Sequence, residues 1–234
     1  MKTCTKGFTR PELVFVLLGL TLVALPAVSL LAGNKTDSQR AVCFNNLRQI
    51  GRGAQMWASD HADLFPWRFP VSIDGGVINQ NLSAAAWYRF DILSNHLDSP
   101  KILVCPADSE TPRIADNWTS APGGLLNAAY RNAALSYFIG LHAQPYNGQS
   151  ILSGDRNIRA SGISSCSLLP GGAACPQLSP FDSNVKWTNA IHGLAGHLLF
   201  VDGSVRISNS SDLQRAIRED GDDDNGSGVH LLGK

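Results

Sequence analysis

A run of 20 consecutive uncharged residues, Leu13 to Ala32, constrains this chain more than any other sequence feature. A helix rises about 1.5 Å per residue, so a helical run of this length would cover about 30 Å, the thickness of bilayer hydrocarbon. Because Lys2, Lys6 and Arg10 precede the run, the positive-inside rule predicts a cytoplasmic N-terminus. The sequence therefore predicts a single-pass protein of the bacterial cytoplasmic membrane whose globular part is periplasmic or extracellular.

A cleavable secretory signal is the alternative interpretation of this run. Such a signal has a shorter apolar region, of about 7 to 15 residues, and ends at a small-residue cleavage site. Ala32 is a small residue, but Leu30 stands where an Ala-x-Ala site requires alanine. The spanning helix is therefore the preferred interpretation.

The residues around Glu12 carry a more specific signal. A carboxylate next to an apolar run is costly in lipid and is a candidate functional residue, unless it stays hydrated at the interface. The segment Lys6 to Leu13 (KGFTRPEL), followed by the apolar run, resembles the type IV prepilin signal. The resemblance implies cleavage by a prepilin peptidase after Gly7, N-methylation of Phe8, and a role for Glu12 in assembly. Pro11 departs from the aliphatic residue usual at its place, although proline is tolerated at a helix start.

The spacing of apolar residues extends the helix beyond the membrane. Steps of three and four residues place one set on a single helix face, with Asn46, Arg48 and Arg52 on the opposite, solvent face, up to a stop at 64–66. The set is Cys43, Leu47, Ile50, Ala54, Trp57 and His61. Similarity to pilins implies an α+β, lollipop-shaped fold, in which a long membrane-spanning helix packs on a small antiparallel sheet domain.

The predicted organisation has five parts: a leader (1–7), a transmembrane helix (8–33), the outer half of the long helix (34–64), a globular domain (65–208), and a short helix with an acidic, flexible tail (209–234). Within the globular domain, 84–97 reads as a helix capped by Ser83. The segments 101–105 and 135–141 read as strands, 154–157 as a turn, and 161–180 as an insertion rich in small residues.

Residues 197–208 predict a β-hairpin, because two apolar runs are joined by Asp202-Gly203, which suits a type I′ turn. His192, nine residues and then Asp202-Gly203 resemble the C-terminal H-x(9)-D-G motif of a bacterial group of prepilin-like proteins. Three other segments are similar to that group: 43–50 (CFNNLRQI), 104–108 (VCPAD) and 154–157 (GDRN). The resemblance covers 6 to about 208 and is weaker in the insertion.

Cleavage would leave four cysteines in an oxidising compartment, which indicates disulfides. The preferred pairing joins Cys166 to Cys175 within a small loop and Cys43 to Cys105 across a long one. Buried thiols and a four-thiolate zinc site are the alternatives, although no Cys-x-x-Cys occurs.

His192, His197 and Asp202 could form a metal or catalytic site. The structural interpretation is preferred, because the turn accounts for Asp202 and no nucleophile with an oriented base can be named. Asp220, Asp222 and Asp224 in the tail resemble a calcium loop, but Leu231 stands where that loop requires glutamate. We therefore expect no catalytic site and no cofactor, with calcium as a weak alternative.

These features predict a non-enzymatic, pilin-like subunit of a type IV pilus or a type II secretion pseudopilus. The expected partners are the prepilin peptidase, other pilin or pseudopilin subunits, a membrane assembly platform with its ATPase, and the lipid bilayer. The formal net charge is zero, which argues against nucleic acid. The alternative is a membrane-tethered module that binds a ligand or glycan through Trp67, Trp118 or Trp187.

Overall fold

The computed structural model describes residues 10–68, 85–110, 112–166, 174–220 and 229–232, except for the side chains of residues 19–35, 164–165 and 232. The chain divides into two compact units, Met1–Gln39 and Arg40–Lys234. Helix α1 (Arg10–Asp60) has 51 residues, of which 10–39 belong to the first unit and 40–60 to the second. The two units are described separately below.

The prediction of a membrane-spanning helix is wrong. Within the described ranges, no helix has both the length and the apolar character needed to cross a bilayer. The single-pass topology and the lollipop fold class built on such a helix are corrected accordingly.

In the second unit, α1 buries the face that the apolar spacing predicts. Cys43, Leu47, Ile50, Ala54 and Trp57 are buried. The helix comes very close to its neighbours, because a Cβ added at Gly51 or Gly53 would lie 2.9 Å from Leu199 or 2.5 Å from Leu97. Asn46, which the sequence places on the solvent face, is also buried, and its Nδ2 donates a hydrogen bond to the Val104 carbonyl.

The segments that follow α1 are more irregular than the sequence predicts. Helix α2 (Ala86–Ile92) has only seven residues and is followed by a 3-10 turn at Ser94–His96. Ala85, at the N-cap, makes no side-chain capping bond, and the expected cap Ser83 lies outside the described residues. The predicted strand at 101–105 is wrong: Pro100–Leu103 is a 3-10 turn, because proline suits a first helical position and Ser99 caps it by accepting a hydrogen bond from the Lys101 N–H.

A seven-stranded antiparallel sheet forms the centre of the second unit, in the order β4-β5-β9-β1-β2-β7-β8. A separate pair, β3 and β6, is also antiparallel. The bounds are β1 (Tyr137–Gly140), β2 (Ile151–Asp155), β3 (Ile158–Arg159), β4 (Gly162–Ser165), β5 (Ala174–Leu178), β6 (Lys186–Trp187), β7 (Gly196–Phe200), β8 (Val205–Ser208) and β9 (Val229–Leu232).

Both faces of the central strands are covered, which explains why every residue of β1, β2 and β7 is buried. Side chains alternate between the two faces of a strand, so Leu199 packs with α1 while Leu198 and Phe200 pack on the other side. That other side is covered by helix α3 (Ser210–Asp220), which contributes Leu213 and Ile217.

Strands β7 and β8 form the predicted hairpin, but its turn differs from the prediction. Residues 201–203 form a three-residue loop in which the Gly203 N–H donates to the Phe200 carbonyl, and the Phe200 N–H donates to the Ser204 carbonyl. Gly203 has a φ of 81°, whereas Asp202 is not left-handed. A type I′ turn would require positive φ at both residues, so this turn is a type I turn followed by a left-handed glycine.

Five strands were not predicted, and two of them are the short pair β3 and β6. Strands β4 and β5 form a hairpin inside the segment expected to be an insertion, and β9 follows the acidic run. Strand β9 joins the two parts of the sheet, because it pairs with β5 on one side and with β1 on the other.

Candidate functional site

The buried carboxylate of Asp155, at the end of β2, is the centre of the candidate site. Its Oδ2 accepts a hydrogen bond from the backbone N–H of His197 at 2.7 Å and lies 3.0 Å from the ring Nδ1 of the same residue. The same oxygen lies 3.6 Å from Nε2 of His192. All three side chains are at most 2% exposed, so they interact without competition from water.

His192 reaches this carboxylate from a tight turn. His192, Gly193 and Leu194 all have positive φ, between 53° and 61°, which histidine tolerates better than most residues. Arg40 of α1 donates a hydrogen bond to the His192 carbonyl at 3.3 Å. The turn is therefore held in place at two points: Arg40 binds the His192 carbonyl, and Asp155 lies next to the His192 ring.

A disulfide joins this cluster to α1. Cys43 and Cys105 are bonded, with a Cα–Cα distance of 5.1 Å, as the preferred pairing predicts. Nε2 of His192 lies 3.4 Å from Sγ of Cys105. Because Cys105 is oxidised, the sulfur nearest to His192 cannot serve as a thiolate nucleophile.

Arg156 and Asn157, which follow Asp155, extend the network. Arg156 makes two hydrogen bonds to the buried carboxylate of Asp108, at 2.8 and 2.9 Å, and a third to Glu110. Nδ2 of Asn157 lies within hydrogen-bond distance of the carbonyls of Thr188, Ile191 and Ala195, on both sides of the His192 turn. The predicted turn at 154–157 is thus the end of β2 followed by Arg156 and Asn157. The side chains of these two residues form hydrogen bonds to neighbouring loops.

Four of the five segments that carry the family resemblance therefore meet in one buried network. Segment 43–50 supplies Cys43, segment 104–108 supplies Cys105 and Asp108, segment 154–157 supplies Asp155, and the C-terminal motif supplies His192. We call this set the motif network. Sequence spacing could not reveal it, because its members come from segments far apart in the chain.

Charge and burial decide what the motif network can do. Burial lowers the pKa of His192; Asp155 partly opposes this effect, while His197 and Arg40 add to it. A neutral His192 can accept a hydrogen bond or ligate a metal. Burial, with the negative charge of Asp155, raises the pKa of the neighbouring Tyr137 well above its ordinary value, so Tyr137 stays protonated.

The donor atoms of Asp155, His192 and His197 lie within 4.8 Å of one another, so these residues could hold a metal ion. Asp202, which the sequence grouped with the two histidines, takes no part in this set. Its carboxylate is in the β7–β8 loop, where it accepts a hydrogen bond from the Ser204 N–H and lies 3.7 Å from Arg206. His192 and Asp202 therefore stand at opposite ends of β7.

A second buried group, which the sequence did not indicate, consists of His142, Cys166 and His230. Nε2 of His142 lies 3.2 Å from Sγ of Cys166. The predicted Cys166–Cys175 disulfide is absent, and both cysteines are buried. Strand register explains the difference, because Cys175 stands opposite Ser164 in the β4–β5 hairpin rather than opposite Cys166.

The remaining predicted residues have different outcomes. Gly7 and Phe8 lie outside the described residues, as do Asp222 and Asp224. Glu12 is exposed in the first turn of α1. Asp220 is 1% exposed, and its Oδ1 accepts a hydrogen bond from the Ile151 N–H, so it acts as a structural acceptor at the end of α3.

The tryptophans proposed for ligand binding are largely inside the protein. Trp67 and Trp187 are 3% and 1% exposed, and Trp118 is partly buried against the core. Nε1 of Trp187 donates a hydrogen bond to Ser208 Oγ. Trp67 and Trp187 therefore cannot stack on a glycan from this arrangement.

Comparison with known proteins assigns no role to the motif network or to the group of His142, Cys166 and His230. No family model matches the chain, and comparison with curated proteins and with solved structures finds no match.

Proposed function

We propose that this chain is a pilin-like structural subunit, processed between Gly7 and Phe8 by a prepilin peptidase and assembled with like subunits into a type IV pilus or a type II secretion pseudopilus. The observation that carries the proposal is a band of apolar side chains near the start of α1. Six consecutive residues, Leu13 to Leu18, are each between 47% and 74% exposed.

The band surrounds the helix, because six consecutive residues cover more than one turn of 3.6 residues. A helix that is apolar on all sides must be covered on all sides, and an exposed apolar surface of this kind marks an interaction site. A partner docked on one face would leave the other faces in water. A bundle of like helices covers every face at once, and this favours a filament over a one-to-one complex.

Glu12 precedes this band and supplies a means of fixing the register. The family resemblance implies a free amine at Phe8 after cleavage. An amine and a carboxylate from neighbouring subunits would attract each other strongly inside an apolar bundle, where few water molecules compete. A shift of one subunit along the bundle would separate the charges, so the pair favours one axial register.

The motif network supports a structural role for the globular part. The Cys43–Cys105 disulfide joins α1 to the loop that follows Pro100–Leu103, and Asp155 of β2 contacts both His192 and His197. Such cross-links suit a subunit whose globular part must stay rigid in an assembly. An enzyme would need an accessible nucleophile or base, whereas Asp155 and His197 are almost fully buried.

Processing is the first test of the proposal. The full chain is produced with and without a prepilin peptidase, and the intact mass and N-terminus are measured. We expect a chain that begins at methylated Phe8 only when the peptidase is present. An unprocessed Met1 terminus in both samples contradicts the proposal, and so does cleavage near Ala32.

The second test concerns Glu12. Glu12→Leu should abolish incorporation into filaments that contain the wild-type chain, because the register charge is lost. Glu219→Leu is the matched control, since Glu219 is an exposed glutamate on α3. Sheared filaments are quantified by immunoblotting; equal incorporation of both variants would exclude the role of Glu12.

A further inference from the structure

His142, Cys166 and His230 form a compact group of metal-binding side chains. They are 2%, 0% and 1% exposed, respectively. One donor atom from each residue lies within 4.8 Å of the other two. The imidazole rings of His142 and His230 have centroids 4.8 Å apart.

The sheet brings these three residues together from distant parts of the chain. His230 lies in β9, and the Leu141 N–H, directly before His142, donates a hydrogen bond to the His230 carbonyl. On its other side β9 pairs with β5, whose hairpin partner β4 ends just before Cys166. The arrangement thus depends on the central position of β9 rather than on any local sequence motif.

We propose that this group is a metal site and that it binds copper(I) through two imidazole nitrogens and one thiolate. A soft thiolate combined with imidazoles suits copper and zinc, whereas hard ions such as calcium or magnesium prefer oxygen ligands. Three donors that are almost fully buried suit a trigonal ion that needs no water ligand. This inference concerns the globular part and does not depend on filament assembly.

The charge of Arg89 favours copper(I) over zinc. Arg89 is 2% exposed, and its guanidinium interacts electrostatically with Cys166. The positive charge favours the Cys166 thiolate. A monovalent ion bound to one thiolate is neutral overall, whereas a divalent ion would leave a net positive charge beside Arg89 at low dielectric.

Binding involves no change of oxidation state. The Cys166 thiolate forms the sulfur–copper bond, both histidines ligate as neutral imidazoles, and the ligands that carried the ion into solution leave.

The test uses the full chain, isolated without thiol reductant and titrated anaerobically with copper(I) supplied as an acetonitrile complex. Native mass spectrometry is expected to show one copper ion per chain. Cys166→Ser, His142→Gln and His230→Gln should each weaken binding by more than about 100-fold, because loss of a ligand costs more than loss of an outer-shell partner. His61→Gln and Cys175→Ser are the matched controls and should retain the ion.

X-ray absorption of the wild-type complex tests the ligand set without any variant, so the test does not depend on how well a variant folds. One sulfur and two nitrogen ligands are expected. Four results would overturn the proposal: no copper binding by the wild type, full binding by the three ligand variants, a native Cys166–Cys175 disulfide, or a bound zinc ion that copper(I) cannot displace.

Discussion

The carboxylate of Asp155 in β2 binds both the backbone N–H and the ring Nδ1 of His197 in β7 through a single oxygen, Oδ2. Strands β2 and β7 are neighbours in the sheet, so this side chain adds a cross-link beside the backbone ladder. Removing the Asp155 carboxylate would leave the backbone N–H and the ring Nδ1 of His197 buried without their acceptor.

Asp155→Ala should therefore destabilise the domain strongly. Breaking a buried, hydrogen-bonded charge site costs about 3 to 5 kcal/mol. Urea unfolding followed by tryptophan fluorescence measures the loss. Asp98→Ala, at an exposed aspartate, should change the free energy of unfolding by less than about 0.5 kcal/mol; equal effects of the two substitutions would contradict a central role for Asp155.

The Cys43–Cys105 disulfide closes a loop with a sequence separation of 62 residues. The chain-entropy relation gives about 4 kcal/mol for a loop of this length. We expect mild reductant to lower the free energy of unfolding of the wild type by about this amount. The Cys43→Ala/Cys105→Ala double variant should start at the lower value and show no response to reductant.

Unfolding midpoints measured with and without reductant provide this comparison. A wild-type midpoint that reductant leaves unchanged would mean that the bond contributes nothing to stability. Peptide mapping under non-reducing conditions verifies the pairing in the same samples.

Acid should destabilise the domain through His192. Burial lowers the pKa of His192 in the folded state, so the unfolded chain binds the proton more readily. The free energy of unfolding therefore falls as the pH drops below about 6.5, the ordinary histidine value, until the folded-state pKa is passed.

Replacing His192 tests this pH dependence. His192→Asn keeps a residue that tolerates positive φ and removes the titrating ring. The slope of unfolding free energy against pH, measured between pH 7 and pH 5, should be smaller in the variant than in the wild type. Parallel slopes would assign the acid sensitivity to other groups.

Gly203 is required by its conformation and by its proximity to α1. Its φ is 81°, and an added Cβ would lie 3.3 Å from Nε2 of Gln55. Gly203→Ala should cost about 1 to 2 kcal/mol from the left-handed backbone alone. Gly162→Ala is the matched control, because a Cβ there meets no atom within 4 Å and the backbone is an ordinary strand.

Thermal unfolding compares the two glycine variants. We expect a lower midpoint for Gly203→Ala and a midpoint at or slightly above that of the wild type for Gly162→Ala. If the Gly203 variant matched the wild type, the loop would have another accessible conformation.

Local sequence patterns predicted those elements whose signals lie within one segment. Apolar steps of three and four residues identified the buried face of α1, because a helix repeats every 3.6 residues. The Asp202-Gly203 dipeptide located the β7–β8 hairpin, although not its turn type. The apolar run at Leu13 to Ala32 predicted a membrane-spanning helix that the structure contradicts, since run length alone does not decide whether a segment crosses a bilayer.

The tertiary structure decided what depends on contacts between distant segments. Strand β9 was not predicted, because four residues after an acidic run carry too little periodicity to distinguish a strand. Its place between β1 and β5 brings His230 to His142 and Cys166, and the β2–β7 pairing brings Asp155 to His197. The sequence by itself determined the buried face of α1 and the position of the β7–β8 hairpin, since these depend on neighbouring residues. Only the pairing of strands across the sheet decided which histidines, cysteines and carboxylates meet, because sequence spacing holds no record of contacts between remote segments.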